Sequence, residues 1–458
     1  MHIHKKPVTR RDFLAQGFLL YSGVISLPNI FGLGLRKAVD QCGGSSGPNL
    51  TPFMVFDMAG GAALPGNFLV GKKGGPEDLL SSYNRLGWDP RQQGSLYKDF
   101  GLPMSLKYSK MLKGILDNTT AEARKNFRMG SFCHFAQDDS PSNRLNAANL
   151  VLSAGLRGSF ITNGLGTIDS PSGGGSAPVV NNISLKPTIV NSVDGVLGAV
   201  NLGGPAYSEI KTEQIKAMAE ATIDLSRIQK GDYIDLPDGK VLGDLSKCAY
   251  EKSLDFLAGI DSLDPRKNAT VKAVYKINEN TASSEVNAVT AALTMNSLMG
   301  QSGPGVWTLG NCDYHTGNST DGDRQDELMG IQIGLAVELA HQMKKPLFFQ
   351  LLTDGGCDAN GERNWTGDSG DKCMTVIGYY KPNGTPKMRR TQVGHYTDGQ
   401  GAERGTLIGS EPALVGYAVF ANYLNICGKI DDFSTYAPGV FTGPGQLESV
   451  IIFEGKDS

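Results

Sequence analysis

A chain of 458 residues with 40% hydrophobic side chains can bury a sizeable core, either as two or three average domains or as one large α/β unit carrying insertions. Its formal net charge of -3 leaves no broad basic surface, and it carries no nucleic-acid-binding motif, which excludes DNA and RNA as expected partners. Its 59 glycines suit many strand-to-helix turns and irregular loops better than a helical bundle.

Residues 1–35 read as a targeting segment. In "TRRDFLAQGFLLYSGVISLPNIFGLG" a basic start and the pair Arg10-Arg11 precede Phe13, Leu14 and an apolar run, which resembles a twin-arginine export signal. Gly23, Pro28, Gly32 and Gly34 interrupt that run and make it a poor membrane span. No clear A-x-A cleavage site follows, and Cys42 in "VDQCGG" is not a convincing lipobox, so lipid anchoring is the weaker alternative. The expected location is therefore the periplasm or cell envelope, with the twin-arginine translocase as a partner during export. That pathway carries folded proteins, often with a cofactor inserted, and its destination permits disulfides. Seven cysteines leave at least one unpaired, and Cys357 and Cys373, flanking a Gly/Asp-rich loop, are the expected local pair. No CxxC or Cys/His zinc spacing occurs.

Residues 36–50 read as a linker. "PFMVFDMAGG" (52–61) then predicts a short buried strand ending at Asp57 in a glycine turn. "FRMGSFCHF" (127–135) predicts a second strand, "NRLNAANLVLSAG" (143–155) a helix, and "GSFITNG" (158–164) another strand. Residues 165–180 are Gly/Ser/Pro-rich and read as a flexible loop or lid. Between about 180 and 300 the chain reads as a mostly helical insert. "SEIKTEQIKAMAEATIDLSRI", "LSKCAYEKSLDFLAGI" and "SSEVNAVTAALTMNSLM" each place apolar residues at helical spacing. Strand and loop return in "GVWTLGNCDYHTG" (305–317). Residues 323–345 predict an amphipathic helix with Leu328, Ile331, Leu335, Leu339 and Met343 on one face, stopped by Pro346. A strand over 347–353 follows. The helix-then-strand order predicts an α/β fold whose mostly parallel sheet is sandwiched by helices, as one domain over 51–458.

Several acidic residues and histidines fall in loops after these strands: Asp57, Asp313 and His315 in "CDYHTG", Asp354 in "LLTDGGCDAN", and His395 in "VGHYTDG". Carboxylates and imidazoles are the ligands that zinc and similar divalent ions prefer. Ser140 and Ser142, in "AQDDSPSNRLNAAN", stand at the start of the 143–155 helix, where free N–H groups favour an anion. Each feature has a plain structural alternative, as a turn residue, an N-cap or, for Arg144, a surface salt bridge. His134 can be a core-edge residue or support the site. His341 suits the C-terminus of the long helix, and Asp368 and Asp371 of "GDSGD" can be solvated or offered to calcium.

The order Asp, Ser at a helix start, Asp/His, Asp, His resembles the alkaline phosphatase/sulfatase superfamily. More narrowly, "CHFAQDDS" (133–140) and "WTLGNCDYHTG" resemble segments of an uncharacterised, twin-arginine-exported bacterial branch of it, a domain of unknown function. The resemblance covers the signal and both halves of the α/β core, not residues 165–305. It implies an alkaline-phosphatase-like fold with Asp57, Asp313, His315, Asp354 and His395 as metal ligands. It further implies Ser140, following Asp139, as nucleophile, with Ser142 in reserve, and Arg144 as the holder of a substrate oxyanion.

Gly355 stands where that resemblance expects a second histidine, and Asp358 would have to swing back from a glycine loop to replace it. Five candidate ligands are too few for two complete sites. The expectation is one divalent ion, zinc or calcium/magnesium, rather than two, and weak or absent hydrolysis of small-molecule or glycan phosphate or sulfate esters. The alternative from another class is a non-catalytic periplasmic binding or assembly protein on the same scaffold.

Overall fold

The computed structural model describes residues 50–89, 91, 95–136, 144–156, 159–163, 187–200, 263–316, 319–353, 355–361 and 363–455. The export segment, the linker, the loop at 165–180 and the first two helices expected in the insert lie outside the described residues. In chain order the strands are β1 (Phe53–Met58), β2 (Leu96–Tyr97), β3 (Met104–Ser105), β4 (Phe127–His134), β5 (Ser159–Asn163), β6 (Thr188–Val190), β7 (Ser302–Leu309), β8 (Leu347–Thr353), β9 (Cys357–Ala359), β10 (Trp365–Asp368), β11 (Cys373–Tyr380) and β12 (Gln392–Val393). The helices are α1 (Lys110–Asp117), α2 (Ala121–Lys125), α3 (Ala148–Ser153), α4 (Val193–Val200), α5 (Ala269–Tyr275), α6 (Val286–Leu298), α7 (Ser319–Gln342), α8 (Pro412–Ile426), α9 (Phe433–Tyr436) and α10 (Gln446–Ser449).

The centre is a mixed, mostly parallel eight-stranded sheet in the order β12-β4-β11-β8-β1-β7-β5-β6. Strand β1 runs parallel to both β7 and β8, and β11 alone runs against its neighbours β4 and β8. Six consecutive buried residues in β1 are what a strand covered on both faces requires. The period of two sorts them. Phe53 and Val55 face a core built with α3, α8 and the segment Val450–Phe453. Val306 shares that core, so its neighbour Gly305 points the other way, where a Cβ would meet Ser297 Oγ of α6.

Helix α6 is buried from Ala288 to Leu298 on all sides, as its run of small and apolar residues predicts. The long helix over 323–345 exists as α7, but its buried face is not the predicted stripe. Leu328 is 36% exposed and Ile331 and Met343 are half-buried, whereas Met329, Ile333, Ala336, Val337 and Ala340 are buried beside Leu335 and Leu339. Close packing on α1 explains the rotation. A Cβ on Gly330 would stand 2.1 Å from Met111 O, so glycine is required at the crossing and the bulky residues turn elsewhere. Side chains cap the shorter helices: Ser109, Thr120 and Asn268 accept from the backbone N–H three residues on.

Contacts divide the chain into two units, Met1–Pro48 with Val193–Asp264, and Asn49–Ser192 with Pro265–Ser458. The first is described mainly by α4, whose Val193, Val196 and Val200 are buried. The second contains the whole sheet. Among the described residues no helix is long and apolar enough to cross a membrane.

The expected Cys357–Cys373 bridge is not formed. Both are buried thiols on different strands, and each points at a carbonyl instead. Cys357 Sγ donates to Gly61 O at 2.8 Å, and Cys373 Sγ approaches Ser369 O at 3.9 Å.

Candidate metal centre

Adjacent parallel strands β1, β7 and β8 end at one edge of the sheet, and the loops leaving them are stitched together there. Beyond Met58 the chain turns through Gly60 at φ +117°, where a Cβ would lie 2.6 Å from Asp313 N. Glycine is what lets the two loops touch. Ala59 N donates to Leu309 O (2.9 Å), Cys312 N to Ala59 O (3.1 Å) and Tyr314 N to Gly61 O (3.3 Å). From β8, the Thr353 hydroxyl donates to Gly60 O and accepts from Ala62 N at 3.0 Å. The turn of β1 therefore fixes the backbone that carries Asp313 and His315.

At this edge Asp313, His315 and Asp368 each present a ligand atom, all within 4.8 Å of one another. His315 Nδ1 touches Asp313 Oδ1 and lies 3.1 Å from Asp368 Oδ1. Asp368 arrives on the hairpin of β9 and β10, in which it pairs with Cys357. The three side chains are 48%, 40% and 51% exposed, so one side of the cluster faces solvent. One imidazole and two carboxylates are donors that zinc accepts, although exposed acidic groups are also common without an ion.

Asp368 reads in the sequence as solvated or offered to calcium, not as a partner of Asp313 and His315. "GDSGD" looks like a solvated loop, and only the pairing of β10 with β9 turns it toward "CDYH". Strand alternation across "CDANGERNWTGD" is the one local feature that hints at that hairpin.

The other candidates that are described lie elsewhere. Asp57 is fully buried in β1 between Thr308 and Leu352, on the face that carries Phe53 and Val55, and is not part of the cluster. His395 is half-buried, its carbonyl accepts from Glu403 N at 2.9 Å, and it too is outside the cluster. Arg144 is exposed and ion-paired with Glu411 at 3.0 Å. Asp358 does not swing back, because its carboxylate contacts Lys372 Nζ. Asp371 pairs with Arg404 at 2.6 Å. Ser140, Ser142 and Asp354 lie outside the described residues.

His134 is a satisfied core residue, its ring nitrogens 3.0 Å from Phe135 O and 3.0 Å from Thr375 Oγ1. Burial pushes its pKa down to about 4, so the ring is neutral. His341 also has a structural partner, Tyr380 Oη at 2.9 Å.

Fold and cluster together define an α/β protein with a candidate three-ligand cation site at the carboxyl edge of its parallel strands. Compared with known proteins, the chain matches no family model and no curated protein.

Proposed function

We propose that this protein is an exported, metal-dependent hydrolase of phosphate or sulfate esters, with an alkaline-phosphatase-like sheet and one divalent ion in the Asp313–His315–Asp368 cluster. The observation that carries the reading is the place of that cluster. Open α/β sheets bind ligands outside the carboxyl ends of their strands, and this one gathers an imidazole and two carboxylates there. A bound ion would supply a Lewis acid for an ester oxygen. Asp313, His315 and Asp368 would hold it, zinc fitting these donors better than calcium or magnesium, which prefer all-oxygen shells.

In this reading the exposed side of the cluster admits a small-molecule or glycan ester, and Ser140 is the candidate nucleophile. Arg144 can bind a substrate oxyanion only by leaving Glu411, an exposed pair worth little by itself. The periplasm or cell envelope is the proposed location, reached through the twin-arginine translocase.

One observation favours a second reading, a non-catalytic binding or assembly protein on the same scaffold. Among the described residues the cluster has three ligands, with Asp57 and His395 outside it and no side chain at Gly355. Elemental analysis of protein purified from the periplasm, together with assays on generic phosphate and sulfate monoesters, separates the two. One bound zinc with turnover lost in Ser140→Ala supports the hydrolase. Metal-free, inert protein of normal stability points to the binding role.

A further inference from the structure

We infer that Tyr314, anchored by the buried Arg363–Asp326 pair, is a positioning residue that sets Asp313 and His315 against Asp368, an inference that rests on the metal reading of the cluster. Tyr314 sits between the two proposed ligands in the chain, yet it is only 2% exposed. Its hydroxyl donates to Asp326 Oδ1 at 3.0 Å. Its ring stacks on Trp365, with centroids 6.4 Å apart and planes 28° apart. Trp365 opens β10, and Asp368 closes it. One ring contact thus ties the turn bearing two ligands to the strand bearing the third.

Arg363 locks the same assembly from beneath. Its Nε lies 2.6 Å from Asp323 Oδ1 and its Nη2 contacts Asp326 Oδ2. Nη1 donates to Gly66 O at 2.9 Å, and the backbone N donates to Gly87 O at 2.8 Å. The guanidinium also lies 5.5 Å from the Trp365 ring centroid. Asp323 and Asp326 are three residues apart on α7, so one helix face offers both carboxylates. Arg363 is 5% exposed and holds φ +54°, a conformation that persists only where surroundings over-determine it. Lysine carries the charge but lacks the planar fork that reaches two carboxylates and a carbonyl at once.

Ligand orientation is part of metal affinity, and loss of an outer partner typically costs about tenfold to a hundredfold. The network acts through Tyr314 on one side of the cluster and through Trp365 on the other.

Cobalt(II) titration of the full chain tests this, reading affinity and visible absorption spectrum, with thermal unfolding of the chelator-stripped protein beside them. Tyr314→Phe keeps the stack and deletes one hydroxyl. We expect it to weaken cobalt binding about tenfold and to shift the absorption band, on top of the fall in the metal-free midpoint that losing one buried hydrogen bond brings by itself. Arg363→Lys should do the same more severely, and should it fail to fold, Tyr314→Phe still decides. Unchanged affinity and spectrum in folded Tyr314→Phe would reduce the network to a structural clamp and overturn the inference alone. Wild-type protein that binds no cobalt would overturn the metal reading and the inference with it.

Discussion

His315 Nδ1 stands 3.1 Å from Asp368 Oδ1, joining the short turn after β7 to the last residue of β10. No bonded geometry forces this approach. Two packed tertiary contacts create it, the β1 turn behind Asp313 and the Tyr314–Trp365 stack. Asp368 should therefore behave as a ligand and not as a surface carboxylate. Asp368→Asn is expected to weaken zinc binding at least tenfold while leaving the unfolding midpoint of stripped protein unchanged, because the side chain is 51% exposed. Competition against a chromogenic chelator measures it, and equal zinc affinities would remove Asp368 from the set.

The buried imidazole of His134 makes the fold acid-sensitive. Its folded pKa is held near 4, below the 6.5 usual for histidine, by burial against only two hydrogen bonds. Between those values the unfolded chain binds a proton that the folded chain refuses, so stability falls as pH drops from about 6.5 toward about 4. The full shift corresponds to roughly 3 kcal/mol. Urea unfolding of wild type and His134→Gln at pH 7 and pH 4.5 isolates it. The variant should start less stable at pH 7 and lose less on acidification; identical losses would place the acid sensitivity elsewhere.

Cys357 and Cys373 should both alkylate in denaturant without reductant, even in protein recovered from an oxidising compartment. Neither is in a disulfide, and their thiols approach Gly61 O and Ser369 O. Intact-mass measurement after alkylation reads this directly. A pair protected until reductant is added would show that the loop after β8 rearranges to close a bridge.

Much of the sheet was legible because its strands carry local signals. β1, β4, β5, β7 and β8 all appear where apolar runs were read as strands, and the helix-then-strand order gave the parallel pairing. The face of α7 was legible only at Leu335 and Leu339, since the close approach of Gly330 to Met111 turns Leu328 outward and brings Met329, Ile333 and Val337 into the core. Of the cluster, "CDYH" was readable as a ligand pair from chemistry and its place after a strand. Asp368 was readable as a candidate cation ligand but not as their neighbour, because its position depends on a hairpin and an aromatic stack between residues far apart in the chain. The supposed pairing of Cys357 with Cys373 failed for a related reason: loop length says nothing of where thiols point.

Gly60 offers the sharpest test of how the β1 turn controls the centre. Its φ of +117° is unfavourable for any L side chain, and a Cβ there would stand 2.6 Å from Asp313 N. Gly384 has a similar φ of +107° with nothing within 4 Å of its would-be Cβ. Both Gly→Ala changes should therefore cost about 1–2 kcal/mol in backbone strain. Only Gly60→Ala also pushes the backbone under Asp313 and His315. Chemical unfolding should show the larger loss for Gly60→Ala, and zinc affinity should fall in that variant alone, by about tenfold or more. Equal stability losses with zinc binding intact in both would mean that the turn of β1 supports the sheet edge without governing the ligands above it.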